Sequence, residues 1–231
     1  MKNIDINKTI DAIKLKWYHE WLATHIYDEG HSGFHQQLTA QVMEKYVDPL
    51  NLPKEARILD MGCGPGYFLD ELKKRGYTNY LGITLSEGDI NICANNGHPI
   101  ESYDLSFLPQ VKGFYDESVD FIFCRHALEH SPYPLFTLIE YNRVLGHNKP
   151  IYIELPAPDC ERLHEFNLNH YSILGERMWA ALLQRTGFSI EKFENMEFDL
   201  TVGKNEDGTD KKVREHFYCI IARKTRPLDL K

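Results

Sequence analysis

In Ile58-Leu-Asp-Met-Gly-Cys-Gly-Pro-Gly66 an apolar run ends in a carboxylate, Asp60, and passes into a turn carrying Gly62, Gly64 and Gly66. Glycine lets the backbone turn sharply and approach a ligand closely, and Pro65 suits the first turn of a following helix. Strand, glycine turn and helix in that order make a nucleotide-type pocket at the carboxyl end of a parallel strand. The spacing is GxGxG; a dinucleotide fingerprint would need glycine where Tyr67 stands. A second group able to do chemistry is Cys124-Arg-His-Ala-Leu-Glu-His130, with a further histidine in Asn167-Leu-Asn-His-Tyr171. Histidine exchanges protons near neutral pH, so His126, His130 and His170 are the candidate catalytic bases. His31 and His35 could reach the same place if the amino-terminal loop that holds them closes over it. The chain has 11 histidines, so most of them are surface or core residues.

These residues need elements to position them. Strands are expected at 58–61, 80–84, 100–103, 119–124 and 151–155, alternating with helices over 67–75, 87–95 and 135–145. Such alternation implies a parallel sheet built from right-handed crossovers. In the helix at 135–145, Leu135, Leu138, Ile139 and Leu145 are expected on one face. A further helix over 174–185 stops at Gly187. Met196, Phe198, Leu200 and Val202 then alternate with polar residues, Glu-Asp-Gly at 206–208 marks a turn, and 217–222 is apolar, which is a hairpin signal. The charged stretch 204–212 reads as a solvated tip. Residues 1–50 have helical periodicity, with Trp17, Trp21 and Leu22 in one segment and Leu38, Val42 and Tyr46 in another; a polar loop at 27–35 separates them.

The whole chain of 231 residues suits one α/β domain. Its formal net charge of -8 argues against nonspecific attraction to nucleic acid or anionic membrane. No apolar run approaches the roughly 20 residues that span a bilayer, and Met1-Lys-Asn-Ile-Asp5 lacks the order of a secretory signal. The 5 cysteines are scattered without a CxxC pair, which disfavours disulfides and a cysteine zinc site. A reducing, cytoplasmic setting is expected.

With Asp60 two residues before the first glycine, the 58–66 stretch resembles motif I of the class I S-adenosylmethionine-dependent methyltransferases. The resemblance covers about 55–224 and implies a Rossmann-like, seven-stranded mixed sheet with helices on both faces and an antiparallel last strand. In domain terms, 1–50 is an N-terminal helical cap and 51–231 the methyltransferase domain. S-adenosylmethionine is the implied cofactor. Asp60, Gly62, Gly64 and Gly66 would hold its methionine portion, with Cys63 a small residue beside it. The second strand of this family normally ends in an acid that binds the ribose, whereas Leu81-Gly-Ile-Thr-Leu-Ser86 puts Thr84 there. That form is similar to the cyclopropane fatty acid synthase branch, where a polar residue five positions on assists, here Asp89. Asp104 and Leu105 inherit the adenine contacts, while Arg125 and His126 fall beside the transferable methyl. Asp120 reads as structural.

Two groups sharing this fold, the ubiquinone-pathway O-methyltransferases and the small-RNA 2′-O-methyltransferases, bind a divalent metal through Glu-x-x-Glu-His. Here the segment is His126-x-x-Glu129-His130, with His170 in place of a later histidine. A metal is not favoured, because the first Glu is replaced. Glu154 either faces the acceptor or satisfies backbone at the sheet edge. Glu161, His164, Glu165, His170 and Tyr171 are candidates for acceptor recognition. The expected activity is methyl transfer to a small polar or saccharide-like acceptor, at oxygen. The alternatives are N-methylation, RNA methylation, and cofactor binding without catalysis.

Overall fold

Ile58, Leu59 and Met61 have no solvent exposure, because β1 (Ile58–Met61) lies in the interior of a seven-stranded sheet. The computed structural model describes residues 6–109, 114–205 and 207–228. β2 (Tyr80–Ile83), β3 (Ile100–Glu101), β4 (Phe121–Arg125) and β5 (Pro150–Pro156) run parallel to β1, and β6 (Phe188–Lys204) pairs antiparallel with β7 (Asp210–Lys224). β7 also pairs antiparallel with β5, so the order is β3-β2-β1-β4-β5-β7-β6. This is the Rossmann-like, seven-stranded mixed sheet with an antiparallel last strand that the resemblance implied.

Side chains alternate across a sheet, so β1 and β4 feed two cores. Leu59, Met61, Ile122 and Cys124 pack on one face with Leu138, Tyr141 and Trp179. Ile58, Phe121 and Phe123 pack on the other with Phe68, Tyr152, Val42 and Tyr46. There the Phe68, Phe123 and Tyr152 rings stack in a column, 3.7 and 5.2 Å between centroids. Burying one such aromatic ring contributes about 1.5–3 kcal/mol.

The connecting helices are α3 (Tyr67–Lys74), α4 (Glu87–Asn95), α5 (Pro134–Val144) and α6 (Glu176–Arg185). Before the sheet come α1 (Ile6–Ala23) and α2 (Gly33–Val42), the latter continued by a π turn at Met43–Val47. Leu38, Val42 and Tyr46 are buried as their period implied, so this second part of the amino-terminal segment belongs to the sheet's core. α1 differs. Trp17 and Trp21 are exposed, and Tyr18 and Leu22 instead face the cleft over the sheet.

α5 is rotated from its expected orientation: Leu135 is 45% exposed, while Thr137, Leu138, Tyr141 and Asn142 form the inner face. The polar inner residues have partners, since Asn142 Nδ2 donates to the carbonyls of Thr186 and Arg226. Lys224, 1% exposed, caps the end of α5 by donating to the carbonyls of Asn142 and Leu145. The carboxy-terminal hairpin is longer than the alternation implied, because both strands run on to Lys204 and Asp210. Asp207 and Gly208 lie in its turn; Glu206 is outside the described residues.

Among the described residues, no helix is long and apolar enough to cross a membrane. All five cysteines are buried and unpaired.

Candidate active site

The chain leaves β1 toward β2 on one side and resumes at β4 on the other, so the loops after β1 and β4 part at the carboxyl edge of the sheet. That is where an open α/β sheet forms its binding crevice. The two loops touch: a Cβ on Gly62 would overlap the Ala127 side chain. Gly62, at φ +82°, therefore meets two demands that glycine alone satisfies, a left-handed backbone and a close crossing. The crevice opens into a cleft, about 840 Å³ with the open space at its mouth, lined on one side by Gly62, Gly64, Thr84, Asp89, Asp104 and Leu105. Its other wall is formed by His126, His130, Asn169 and Tyr171.

Asp60 lies at the carboxyl end of β1, 2% exposed. Burial, with the Glu29 carboxylate nearby, pushes its pKa well above the ordinary carboxylate range, against the pull of Arg125. Asp60, Cys63 and Gly66 do not line the cleft. The Cys63 N–H donates to the Ile83 carbonyl (3.0 Å) and its thiol to the Gly64 carbonyl (3.6 Å), so its polar groups are spent on the turn itself. Gly66, at φ +91°, keeps room for Cys93.

Ser86 caps α4 by accepting from the Asp89 N–H (3.0 Å). The Thr84 hydroxyl accepts from the Ser86 N–H at 3.3 Å. The buried Asp89 carboxylate accepts from the Glu29 and Gly30 amides at 3.2 and 3.3 Å. Asp104 accepts from the Ser106 N–H (2.8 Å) and, on its other oxygen, from the Tyr18 hydroxyl (2.7 Å).

The amino-terminal segment thus covers the cleft. Tyr18, Leu22, His25, Ile26, Tyr27 and Glu29 line it from above. Tyr18, Leu22 and Ile26 recur four residues apart, which is the signal that could have found them. The Glu29 carboxylate rests where a Gly64 side chain would be, and burial pushes its pKa up. Asp28 accepts from the Ser86 hydroxyl (2.7 Å) and the Gly88 N–H (3.2 Å), pinning the loop to the start of α4. His31 is exposed and His35 half-buried, and neither lines the cleft. Burial and Arg125 lower the His35 pKa to about 4.

At the far wall, His126 holds a left-handed backbone at φ +49°. Its Nδ1 is 3.3 Å from Glu129 and its Nε2 3.0 Å from Glu154. Burial disfavours charge on this ring, but the two carboxylates prevail and raise its pKa to about 9. His126 is therefore an imidazolium near neutral pH and holds no free lone pair for a proton. Glu154 is fully buried and faces Arg125 (2.8 Å), His126 and the Tyr152 hydroxyl rather than an acceptor. Burial opposes its ionisation, yet Arg125 and His126 hold its pKa at about 2. Arg125 is committed to this pair and does not line the cleft.

His130 does line the cleft, with Nδ1 2.9 Å from the Asn169 carbonyl. The His170 ring stands edge-on to it at 4.8 Å, behind the lining, and burial lowers its pKa to about 4. Glu129, His130 and His170 each offer a ligand atom within 4.8 Å of the others. Of the acceptor-recognition candidates, only Tyr171 lines the cleft. Glu161 accepts from the Arg214 N–H and Glu165 from the Asp159 N–H, so both tie down loop backbone. Asp120 is structural, accepting from the Arg57 N–H (2.9 Å) and pairing with Lys149.

Comparison with known proteins agrees with this geometry. The chain is 42% identical over 57 residues to a thiopurine S-methyltransferase of Xanthomonas euvesicatoria pv. vesicatoria, covering 25% of this chain and 26% of that protein. It is 33% identical over 68 residues to EEF1A lysine methyltransferase 2 of Danio rerio, 29% of each. The chain thus matches between a quarter and a third of the length of these curated relatives. Among solved structures, a SAM-dependent methyltransferase from Archaeoglobus fulgidus superposes with a TM-score of 0.62 at 19% identity, covering 82% of this chain and 94% of that one. The cyclase SpnF superposes at 0.61 and 18% identity, covering 87% and 86%, so the same fold also carries other chemistry. A family model described as "Methyltransferase domain" matches residues 34–193. With that match over most of its length and a glycine-turn crevice at the switch point of the sheet, the chain belongs to the class I S-adenosylmethionine-dependent methyltransferase family.

Proposed function

We propose that this protein transfers a methyl group from S-adenosylmethionine to an oxygen of a small polar or saccharide-like acceptor. The residues present fit the cofactor of the family. It carries an ammonium and a sulfonium, and the glycine turn is flanked by two carboxylates, Asp60 and Glu29, each pushed up in pKa by burial. A cationic ligand relieves both. Thr84 and Asp89 stand at the ribose end, with Asp104 and Leu105 at the adenine end. When bound, the cofactor supplies an activated methyl group; the side chains supply alignment, exclusion of water and proton removal.

One observation carries the oxygen reading. The Asn169 carbonyl can only accept, so the His130 Nδ1 that faces it bears the proton. In the neutral ring Nε2 then has the lone pair, and that ring lines the same cleft as Gly62 and Gly64. Such a nitrogen takes the proton of a hydroxyl as its oxygen attacks. His126, already protonated, instead orders the loop between β4 and α5.

A second reading has its own observation. Glu129 Oε2 and His170 Nδ1 are buried without hydrogen-bond partners, and both belong to the three-residue group that includes His130. A divalent cation held there would lower the pKa of an acceptor hydroxyl.

Turnover on a panel of hydroxylated acceptors, with and without chelator, separates these readings. His130→Gln is expected to lose about a hundredfold in kcat or more while calorimetric S-adenosylmethionine binding is retained. Full activity of that variant excludes His130 as the base. Loss of wild-type activity on chelation, restored by metal, makes His130 a ligand. Methylation of amines alone, with no basic limb in the pH profile, overturns the oxygen assignment.

A further inference from the structure

Behind the His170 wall, the loop following β5 meets the outer part of β7. Here Cys160, His164 and Glu215 come together, and all three are less than a tenth exposed. Each offers a ligand atom, and the three atoms lie within 4.8 Å of one another. His164 Nε2 is 2.7 Å from Glu215 Oε1, and Cys160 Sγ is 3.9 Å from the same oxygen. The methyl-transfer cleft uses none of these residues, since none lines it.

We propose that Cys160, His164 and Glu215 form a zinc site that fastens the acceptor-side loop to the carboxy-terminal hairpin. Thiolate, imidazole and carboxylate are zinc's ordinary ligand types. A dication balances the charges of the Cys160 thiolate and the Glu215 carboxylate, leaving a neutral buried centre with a neutral His164. Without the ion the Glu215 carboxylate keeps partners, accepting from the His216 N–H (3.2 Å) as well as facing His164, but one polar atom of the cluster is left over. His164 Nδ1 is buried with no partner, so a doubly protonated ring strands an N–H and a singly protonated one strands a lone pair or breaks the contact with Glu215. Arg162 reaches Glu215 only at 3.9 Å from a half-exposed position.

Zinc bonds of about 2.0–2.3 Å place tetrahedral ligand atoms roughly 3.3–3.7 Å apart. The Cys160–Glu215 separation is near that range already, and the His164–Glu215 contact opens by about half an ångström when the ion takes the place of the shared proton. Loading expels the thiol proton, because a thiolate is the ligand. The ion's fourth position is left to water or to a neighbouring donor.

The local backbone favours this gathering. Leu163 at φ +55° and the single 3-10 turn His164–Phe166 fold Cys160 and His164 back toward β7. Beyond that turn lie Asn169, which fixes the His130 tautomer, and His170, whose ring stacks on His164 at 5.6 Å. A metal here would hold the wall on which the acceptor rests.

The test uses the full-length protein stripped of metal and titrated with Zn2+ or Co2+ alone. One equivalent is expected to bind, with cobalt giving a thiolate charge-transfer band. Cys160→Ser should abolish that band and Glu215→Gln should weaken binding at least tenfold. Glu129→Gln, at the separate group by His130, should leave it unchanged. Alkylation of Cys160 in the unmutated protein, followed by mass spectrometry, reads the site without any variant: Zn2+ should protect the thiol and chelator should expose it. Absence of stoichiometric binding, a cobalt complex lacking the thiolate band or retaining it in Cys160→Ser, or alkylation of Cys160 indifferent to Zn2+ overturns the proposal.

Discussion

Glu29 sits against Gly64 and near Asp60, so two acids share one small region at the methionine end of the crevice. Burial opposes the ionisation of both, the Glu29 charge adds to it at Asp60, and a cationic ligand reverses that cost. Glu29→Gln is expected to weaken S-adenosylmethionine binding several-fold while leaving S-adenosylhomocysteine, which lacks the sulfonium charge, less affected. Calorimetry with both ligands checks this, and equal or tighter binding of the charged ligand would count against the role. Single residues were legible to unequal degrees. The places of Asp60 and Gly62 could be read directly, because a strand end followed by a glycine turn is a local pattern. The state of His126 could not be read: its partner Glu154 stands 28 positions later and meets it only because β4 and β5 pair side by side.

At the level of elements, α1 and the loop to Ser32 form a cover over the cleft. α1 is anchored at Tyr18–Asp104, while much of its surface, including Trp17 and Trp21, faces solvent. A helix attached mainly at the cleft can lift without disturbing the sheet. Removal of residues 1–23 is expected to retain cooperative unfolding and to speed both association and dissociation of S-adenosylmethionine, as read by stopped-flow fluorescence. Unchanged rates would show that the cover plays no gating part. Periodicity identified the helices but not always their inward faces. Leu135 is exposed on α5, whereas Thr137 and Asn142 point inward, because Ser106 and Ser131 supply hydroxyl partners to Thr137 and two carbonyls receive Asn142. An apolar-only pattern does not register such polar packing.

Across the molecule, the buried charges behind the cleft join β4, β5 and the turn at Leu128–His130. His126 has a folded-state pKa of about 9 against an ordinary 6.5. Its contribution to stability is therefore fully present below 6.5 and is lost as pH rises through about 9. Glu154 runs the other way: its contribution is present above 4.5 and lost as pH falls toward about 2. The melting temperature should thus decline between pH 6.5 and 9, with on the order of 3 kcal/mol at stake for the histidine. His126→Asn, which tolerates the left-handed backbone, should flatten that alkaline decline in thermal melts. A decline as steep in the variant as in the parent chain would assign it to other groups. The net charge of -8 belongs to this scale as well. It disfavours a polyphosphate acceptor, so acceptor affinity should vary little with salt.

Sequence alone determined the alternating sheet, the closing hairpin and the glycine turn, since each rests on short-range periodicity or on residues adjacent in the chain; the antiparallel last strand and the cofactor class followed from the family resemblance that the glycine turn carries. Tertiary structure decided which histidine carries a free lone pair, which acids are buried together, and which face of the amino-terminal helix meets the crevice. Those outcomes depend on pairs such as Tyr18 with Asp104, His130 with Asn169 and His164 with Glu215. Their partners are far apart along the chain, and burial sets their protonation only after the sheet has brought them together.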